Sequence, residues 1–185
     1  MAIIRVSGHP GAGKTALCEK LARTLNYQNY YTGQIFKDLA KEQGLTEDEL
    51  YKRMATQPAF EIRTDGRVSN LMMTEDNIIV QGRMAPFQKH NKNFKKINLF
   101  LKVSDEVGAQ RQLNRPGNKD MTFDEMLTRS RSRIQTERER YLALYGIKDH
   151  FDESKFDIVI DTTEFDLDQV FFIVCAALKK LGIEF

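Results

Sequence analysis

Short apolar runs alternate with longer stretches in which apolar residues recur at helical spacing, so strands and helices should take turns along the chain. Ala2 to Ser7 reads as a buried strand, followed by a glycine-rich turn and a helix from about Lys14 to Leu25. Gln28 to Tyr31 is a short aromatic strand. Thr32 and Gly33 then open a helix to about Gln43, which Gly44 stops, and Thr46 with Glu49 forms a capping-box pattern for the next helix. Phe60 to Glu75 reads as helical with Gly66 as a weak point, and Asn77 to Val80 as a strand ending at Gln81-Gly82-Arg83. Lys96 to Val103 is a strand and Ser104 to Asn114 a helix. A loop follows at Arg115-Pro116-Gly117-Asn118. Thr122 with Glu125 caps a long helix to about Tyr145. Phe156 to Ile160 is the last strand and Asp166 to Leu181 the last helix.

Five strands separated by helices predict an α/β fold, with a five-stranded parallel sheet between two helical layers. Right-handed crossovers would bring the loops after the strands to one edge, where ligands bind in such sheets.

One of those loops carries a complete phosphate-binding motif. Gly8-His9-Pro10-Gly11-Ala12-Gly13-Lys14-Thr15 matches GxxxxGK[ST] between an apolar strand and an amphipathic helix. Glycines let successive backbone N–H groups turn inward around phosphate oxygens, and the helix that follows adds the positive end of its dipole. Lys14 would bridge the outer phosphates and Thr15 would offer its hydroxyl to Mg²⁺, making ATP and Mg²⁺ the expected cofactors. His9 belongs to the cradle by position, while its ring reads as a solvated loop side chain. The competing reading is a glycine-rich turn that binds nothing. The agreement of strand, loop, lysine, hydroxyl and helix argues against it.

Composition narrows the picture further. The 185 residues suit a single domain, 41% hydrophobic and 29% charged, which is the profile of a soluble globular protein. A net charge of +2 gives no mandate for nucleic acid or an anionic membrane, and no stretch reaches the length of a membrane span. The basic run from Lys89 to Lys96 lacks interleaved stacking aromatics and reads as a solvated connection. Cys18 and Cys175 read as buried free thiols of a cytoplasmic protein. Met72, Met73, Phe171 and Phe172 read as packing residues. A monomer is the default expectation.

The arginines change the functional reading. Seven of the thirteen lie between Arg111 and Arg140. Arg133 and Arg140 are about two turns apart on the long helix, with Glu137 between them on the same face. Two guanidinium groups and a carboxylate would clamp a phosphate with a sugar or base. Arg111 and Arg115 flank a Pro-Gly loop of the kind a closing lid needs. On pattern alone, a solvated helix laced with ion pairs remains open. A guanine-reading NKxD segment and a suitably placed DxxG are both missing, which argues against a GTPase.

These pieces together resemble cytidylate kinases, in particular the short archaeal form. The resemblance takes in the Gly8–Thr15 loop, Tyr31-Thr32-Gly33-Gln34-Ile35-Phe36-Lys37, Gly82-Arg83-Met84-Ala85, and the arginines from Arg111. It continues through Arg133-x3-Glu137-x2-Arg140-Tyr141 and Tyr145-Gly146-Ile147 to Phe156–Thr163. It implies a P-loop nucleoside monophosphate kinase fold, with an acceptor-binding segment at about 33–75 and a helical lid at about 108–130. It also implies Mg²⁺-dependent transfer of a phosphoryl group from ATP to CMP or dCMP. By position, Lys14, Arg83, Arg111, Arg133 and Arg140 would be catalytic. Thr32, Lys37, Arg83, Arg133, Glu137 and Arg140 would bind the acceptor, Arg111 the ATP side, and Thr15 the metal.

Three positions depart from the family pattern. Lys14 stands where the family often has threonine, Lys37 where it has arginine, and Gln81 where it has a carboxylate. A neutral amide neither organises metal-bound water nor accepts a proton as an acid does. That leaves open a P-loop kinase of another small acceptor, or a nucleotide-binding regulatory protein with weak turnover.

Overall fold

The structure is a computed structural model that describes residues 1–46, 49–50, 53, 57–118 and 120–185. Its sheet has five parallel strands in the order β2-β3-β1-β4-β5. They are β1 (Ala2–Gly8), β2 (Gln28–Tyr31), β3 (Ile78–Gln81), β4 (Lys95–Lys102) and β5 (Ile158–Asp161). Six helices are described: α1 (Lys14–Leu25), α2 (Thr32–Glu42), α3 (Ala59–Thr74), α4 (Asp105–Leu113), α5 (Phe123–Tyr145) and α6 (Leu167–Lys180).

Alternation along the strands assigns the two faces. Ile4 and Val6 of β1, Leu99 and Leu101 of β4, and Ile160 of β5 share a core with Leu17 and Leu21 of α1 and Val174 and Leu178 of α6. On the opposite face, Ile3, Ile78 and Val80 pack with Val68 and Met72 of α3. β1 is buried along its whole length, as a central strand covered on both sides must be. The strand order reverses beside it, with β3 on one flank and β4 on the other. The loop after β1 therefore opens at the switch point.

Helix ends follow the sequence signals. Thr122 and Glu125 form a reciprocal capping box at the start of α5, and Ser104 caps α4. Asp166 and Gln169 make a further box on α6 that the sequence reading did not single out. Thr46 and Glu49 exchange the capping bonds expected of them, although much of the helix they would open lies outside the described residues. α3 runs unbroken through Gly66, because Val68 and Met72 anchor it to the sheet on the far side.

Several packing expectations are corrected. Phe172 is 69% exposed and Met73 47% exposed, each turned away from the core on a helix whose other face is buried. Cys175 is only half-buried, unlike Cys18. Arg5 lies buried in the middle of β1. Its Nε donates to Asn98 Oδ1 at 2.7 Å, and another guanidinium nitrogen donates to the Gln88 carbonyl at 3.1 Å. Burial lowers its pKa to about 10 against the pull of Asp157.

Candidate active site

The loop between β1 and α1 is held in a cradle by its glycines. Gly11 has φ of 78°, and a side chain there would run into the backbone of Gly108 at the start of α4. Gly8 passes so close to Leu101 that no Cβ fits, and His9 N–H donates to the Leu101 carbonyl at 2.9 Å. Gly13 takes a left-handed conformation as α1 begins, so the first turn of that helix faces the mouth of the loop. Lys14 Nζ reaches back across the loop and donates to the carbonyls of Gly8 (2.8 Å) and His9 (2.7 Å). Burial, and then the charge of Arg83, push the Lys14 pKa well down, so an anion at the mouth would relieve both strains.

His9 departs from the solvated position expected of it. Its ring packs edge-on against Phe100 (5.3 Å) and Phe151 (4.8 Å), with Nδ1 3.1 Å from the Val103 carbonyl. The ring thus pins the loop to β4, and only the backbone of residue 9 faces the cradle.

Gln81 is the last residue of β3 and is paired with Val6 of β1. Its side-chain oxygen accepts the Thr15 hydroxyl proton at 3.1 Å, and its carbonyl accepts from Thr32 Oγ1 at 3.0 Å. With its proton spent on Gln81, the Thr15 oxygen has lone pairs to offer a hard cation. No group of three or more His, Cys, Asp or Glu able to hold a metal ion occurs among the described residues. These neutral oxygens fit Mg²⁺ delivered with a nucleotide, a mode in which phosphates and water supply most ligands.

Across the mouth of the cradle lies an open cleft of about 320 Å³ between α2, α3 and α5, with Lys14, Thr32, Lys37, Arg115 and Arg133 along its wall. Glu137 is its electrostatic hub. Arg83 Nε donates to Glu137 Oε2 at 2.6 Å, and Arg133 Nε donates to Oε1 at 2.9 Å. Arg83 also donates to the Gly8 carbonyl, which ties this cleft to the loop between β1 and α1. Burial pushes the Glu137 carboxyl up, but Arg83, then the nearby His150 ring and Arg133, outweigh it and hold it well below the usual carboxylate range.

Arg140 does not share Glu137 with the other two. It pairs at 2.7 Å with Glu61 of α3, a buried carboxylate that the sequence reading missed. One turn further along α3, Asp65 accepts from Tyr145 Oη (2.5 Å) and from Gln88 Nε2 (2.6 Å). Burial raises the pKa of both acids, against Arg140 at Glu61 and against Tyr145 at Asp65. A search for acids one helical turn apart, on a helix with a weak apolar stripe, could have flagged this pair.

A second, apolar slot of about 180 Å³ lies beside the start of α1, walled by Ala12, Ala16, Leu17, Phe165 and Val170. Arg111 closes it. Its guanidinium donates to the carbonyls of Thr162 (2.8 Å) and Phe165 (3.1 Å) and to Thr162 Oγ1 (3.2 Å). Asp161 shapes this loop by accepting from the amide and the hydroxyl of Thr163. The slot and the cleft both touch Gly13, so two chambers meet at the loop.

The AAA domain family model matches residues 4–141. A cytidylate kinase of Pyrococcus furiosus is 36% identical over 97% of this chain and 89% of its own length. Cytidylate kinases of Pyrococcus abyssi and Methanopyrus kandleri are 34% and 31% identical over 97% of this chain, each covered over 94% of its length. Among solved structures, an uncharacterized protein from Eubacterium ventriosum superposes with a TM-score of 0.71 at 16% identity, covering 97% of this chain and 99% of its own. Shikimate kinase from Acinetobacter baumannii, in complex with shikimate, gives 0.64 at 14% identity, covering 100% of this chain and 96% of its own. These two likenesses speak for the fold. With a phosphate cradle, an arginine-walled chamber beside it and relatives above 30% identity along almost its full length, the chain belongs to the cytidylate kinase family.

Proposed function

We propose that the chain transfers the terminal phosphoryl group of Mg·ATP to the phosphate of CMP or dCMP. The observation that carries this reading is the two-chamber layout, in which an apolar slot and an arginine–carboxylate chamber meet at the Gly8–Thr15 loop. ATP would lay its base in the slot against Arg111 and its phosphates in the cradle. The acceptor's phosphate would meet Arg83 and Arg133, with Thr32 and Lys37 on the facing wall. Phosphoryl transfer asks chiefly for alignment and positive charge, and Lys14, Arg83 and Arg133 supply both at the shared mouth. The Thr15 hydroxyl, oriented by Gln81, would hold Mg²⁺, which would supply positive charge to the donor phosphates. Residues 33–75 then act as the acceptor-binding segment and 108–130 as the lid. Within the described part of that lid, Gln112 Nε2 donates to Ser130 Oγ at 2.9 Å, linking α4 to α5. Lid closure would exclude the water that otherwise hydrolyses ATP.

The base is read, on this account, by Arg140 and Glu61. A guanidinium donor beside a carboxylate acceptor complements the N3 acceptor and N4 amino donor of cytosine, and opposes the reversed order on uracil. Glu61→Gln is therefore expected to lower the CMP-to-UMP ratio of kcat/KM about tenfold, because an amide can turn its NH₂ toward the uracil O4. An unchanged ratio would remove Glu61 from the base site.

Gln81 keeps the Thr15 hydroxyl oriented as an acid would, and lacks only the charge. Gln81→Glu is expected to lower the Mg²⁺ needed for half-maximal rate by several-fold, because a carboxylate adds negative charge beside the Thr15 hydroxyl. A flat response in a Mg²⁺ titration would place residue 81 outside the metal's shell.

The panel that tests the whole reading follows ADP release from Mg·ATP with CMP, dCMP, UMP, AMP, shikimate and gluconate. CMP or dCMP should be best, with little ADP formed without an acceptor. ADP release indifferent to every acceptor would favour a nucleotide-binding regulator instead. The protein would act as a monomer in the cytoplasm; no described helix is long and apolar enough to cross a membrane.

A further inference from the structure

His150 is fully buried, yet neither of its ring nitrogens makes a hydrogen bond among the described residues. The ring sits between Tyr141, at 5.0 Å centroid to centroid, and Phe151, at 4.0 Å. A phenylalanine in this aromatic nest would carry no unmet polar group, so the imidazole calls for a reason. Its Nε2 points along one line of interest: it lies 3.7 Å from Glu137 Oε2, just beyond hydrogen-bonding reach.

That oxygen is the one that accepts from Arg83 Nε at 2.6 Å. A phosphate entering the acceptor chamber competes with Glu137 for the same guanidinium, and wins charge-assisted bonds of its own. As Arg83 turns toward the phosphate, Glu137 Oε2 loses its donor on a residue only 3% exposed. We propose that His150 is a positioning residue held in reserve for Glu137: its Nε2–H closes on Oε2 when the acceptor's phosphate draws Arg83 away. The neutral ring with its proton on Nε2 is sufficient, so the step needs no change of charge. Glu137 then stays anchored on α5 and keeps Arg133 aimed, so Arg83 is released to the phosphate at low cost. This inference rests on the acceptor reading above.

Two variants and one spectrum test it. His150→Phe keeps the ring and removes the donor; His150→Gln places an amide nitrogen near the Nε2 position. His150→Phe should melt at or above the wild-type temperature without ligand, because it deletes an unmet polar group. It should also raise KM for CMP about tenfold, the scale of one hydrogen bond to a charged group. KM for ATP should stay within about twofold, and His150→Gln should recover most of the CMP effect. An unaltered KM for CMP in His150→Phe overturns the proposal. So does a parallel rise of both KM values with a lower melting temperature, or a glutamine variant no better than phenylalanine. Should His150→Phe not fold, ¹⁵N NMR of wild-type protein decides instead. CMP should shift the His150 Nε2–H signal toward a stronger hydrogen bond, and an unmoved signal on saturation overturns the idea. A wild-type protein inert toward CMP defeats the acceptor reading and this step together; wild-type turnover with an unaltered His150→Phe defeats this step alone.

Discussion

Replacing Lys14 by alanine is expected to reduce phosphoryl transfer by about 10³-fold or more, the scale of losing a transition-state cation in this chemistry. Nζ reaches back across the cradle, donating to the carbonyls of Gly8 and His9. Those carbonyls are poor compensation for a buried ammonium facing Arg83, Arg133 and Arg115, which is why its pKa is pushed down. A polyphosphate at the mouth replaces them with full negative charge. The alanine variant should therefore lose nucleotide affinity and rate, while its ligand-free melting temperature holds or rises, since a poorly solvated like charge has gone. Calorimetric titration with Mg·ATP and a thermal melt separate the two. Loss of rate with a collapse of the fold would show that Lys14 acts as a structural brace of the loop.

Arg83→Ala is expected to be as damaging to rate, about 10³-fold, and in addition to destabilise the protein. Arg83 spans from the Gly8 carbonyl to Glu137, so one side chain joins the β1–α1 loop to the cleft beside it. Removing it takes a guanidinium from the cleft and leaves a 3% exposed Glu137 paired, among the described residues, with Arg133 at 2.9 Å. Breaking such a buried pair costs about 3–5 kcal/mol. The pH dependence gives the sign. The Glu137 carboxyl is depressed in the folded protein, so its contribution is fully present above its unfolded value, about 4.3, and is lost as pH falls below that. Arg83→Ala weakens that depression, so acid unfolding followed by circular dichroism should begin at a higher pH than in the wild type. Arg83→Lys should restore much of the stability but little of the rate, because a point charge does not reproduce the fork that spans Glu137 and the Gly8 carbonyl and can turn two parallel donors onto a phosphate. Full rate in the lysine variant would mean that Arg83 contributes charge alone.

The parts of this protein legible in its sequence are those with a local rule behind them. The cradle follows from glycine, lysine and threonine at fixed spacing, and the caps of α4 and α5 from a hydroxyl placed three residues before the helical amide it receives. Helix periodicity placed Arg133, Glu137 and Arg140 on one face. It did not reveal that Arg140 turns to Glu61, because that choice depends on where α3 packs, some eighty residues away in the chain. The same limit hid Glu61 and Asp65: an acid on a helix reads as solvated until a second helix covers it. His9 and His150 were opaque for a related reason. His9 packs edge-on against Phe151, and only the folded chain brings the phosphate loop to that ring; His150 adjoins Phe151 in the chain, but its place beside Tyr141 and Glu137 depends on how the turn after α5 folds back. Gln81 was legible as an anomaly. Its hydrogen bond from Thr15 needed the pairing of β3 with β1 to bring it beside the loop.

The two-chamber reading is tested most directly by ³¹P NMR of the protein mixed with Mg·ATP and CMP. It predicts ADP and CDP appearing in equal amounts, with the new β-phosphorus resonance on the cytidine nucleotide and little inorganic phosphate. ADP accompanied by inorganic phosphate, with CMP unchanged, would contradict it.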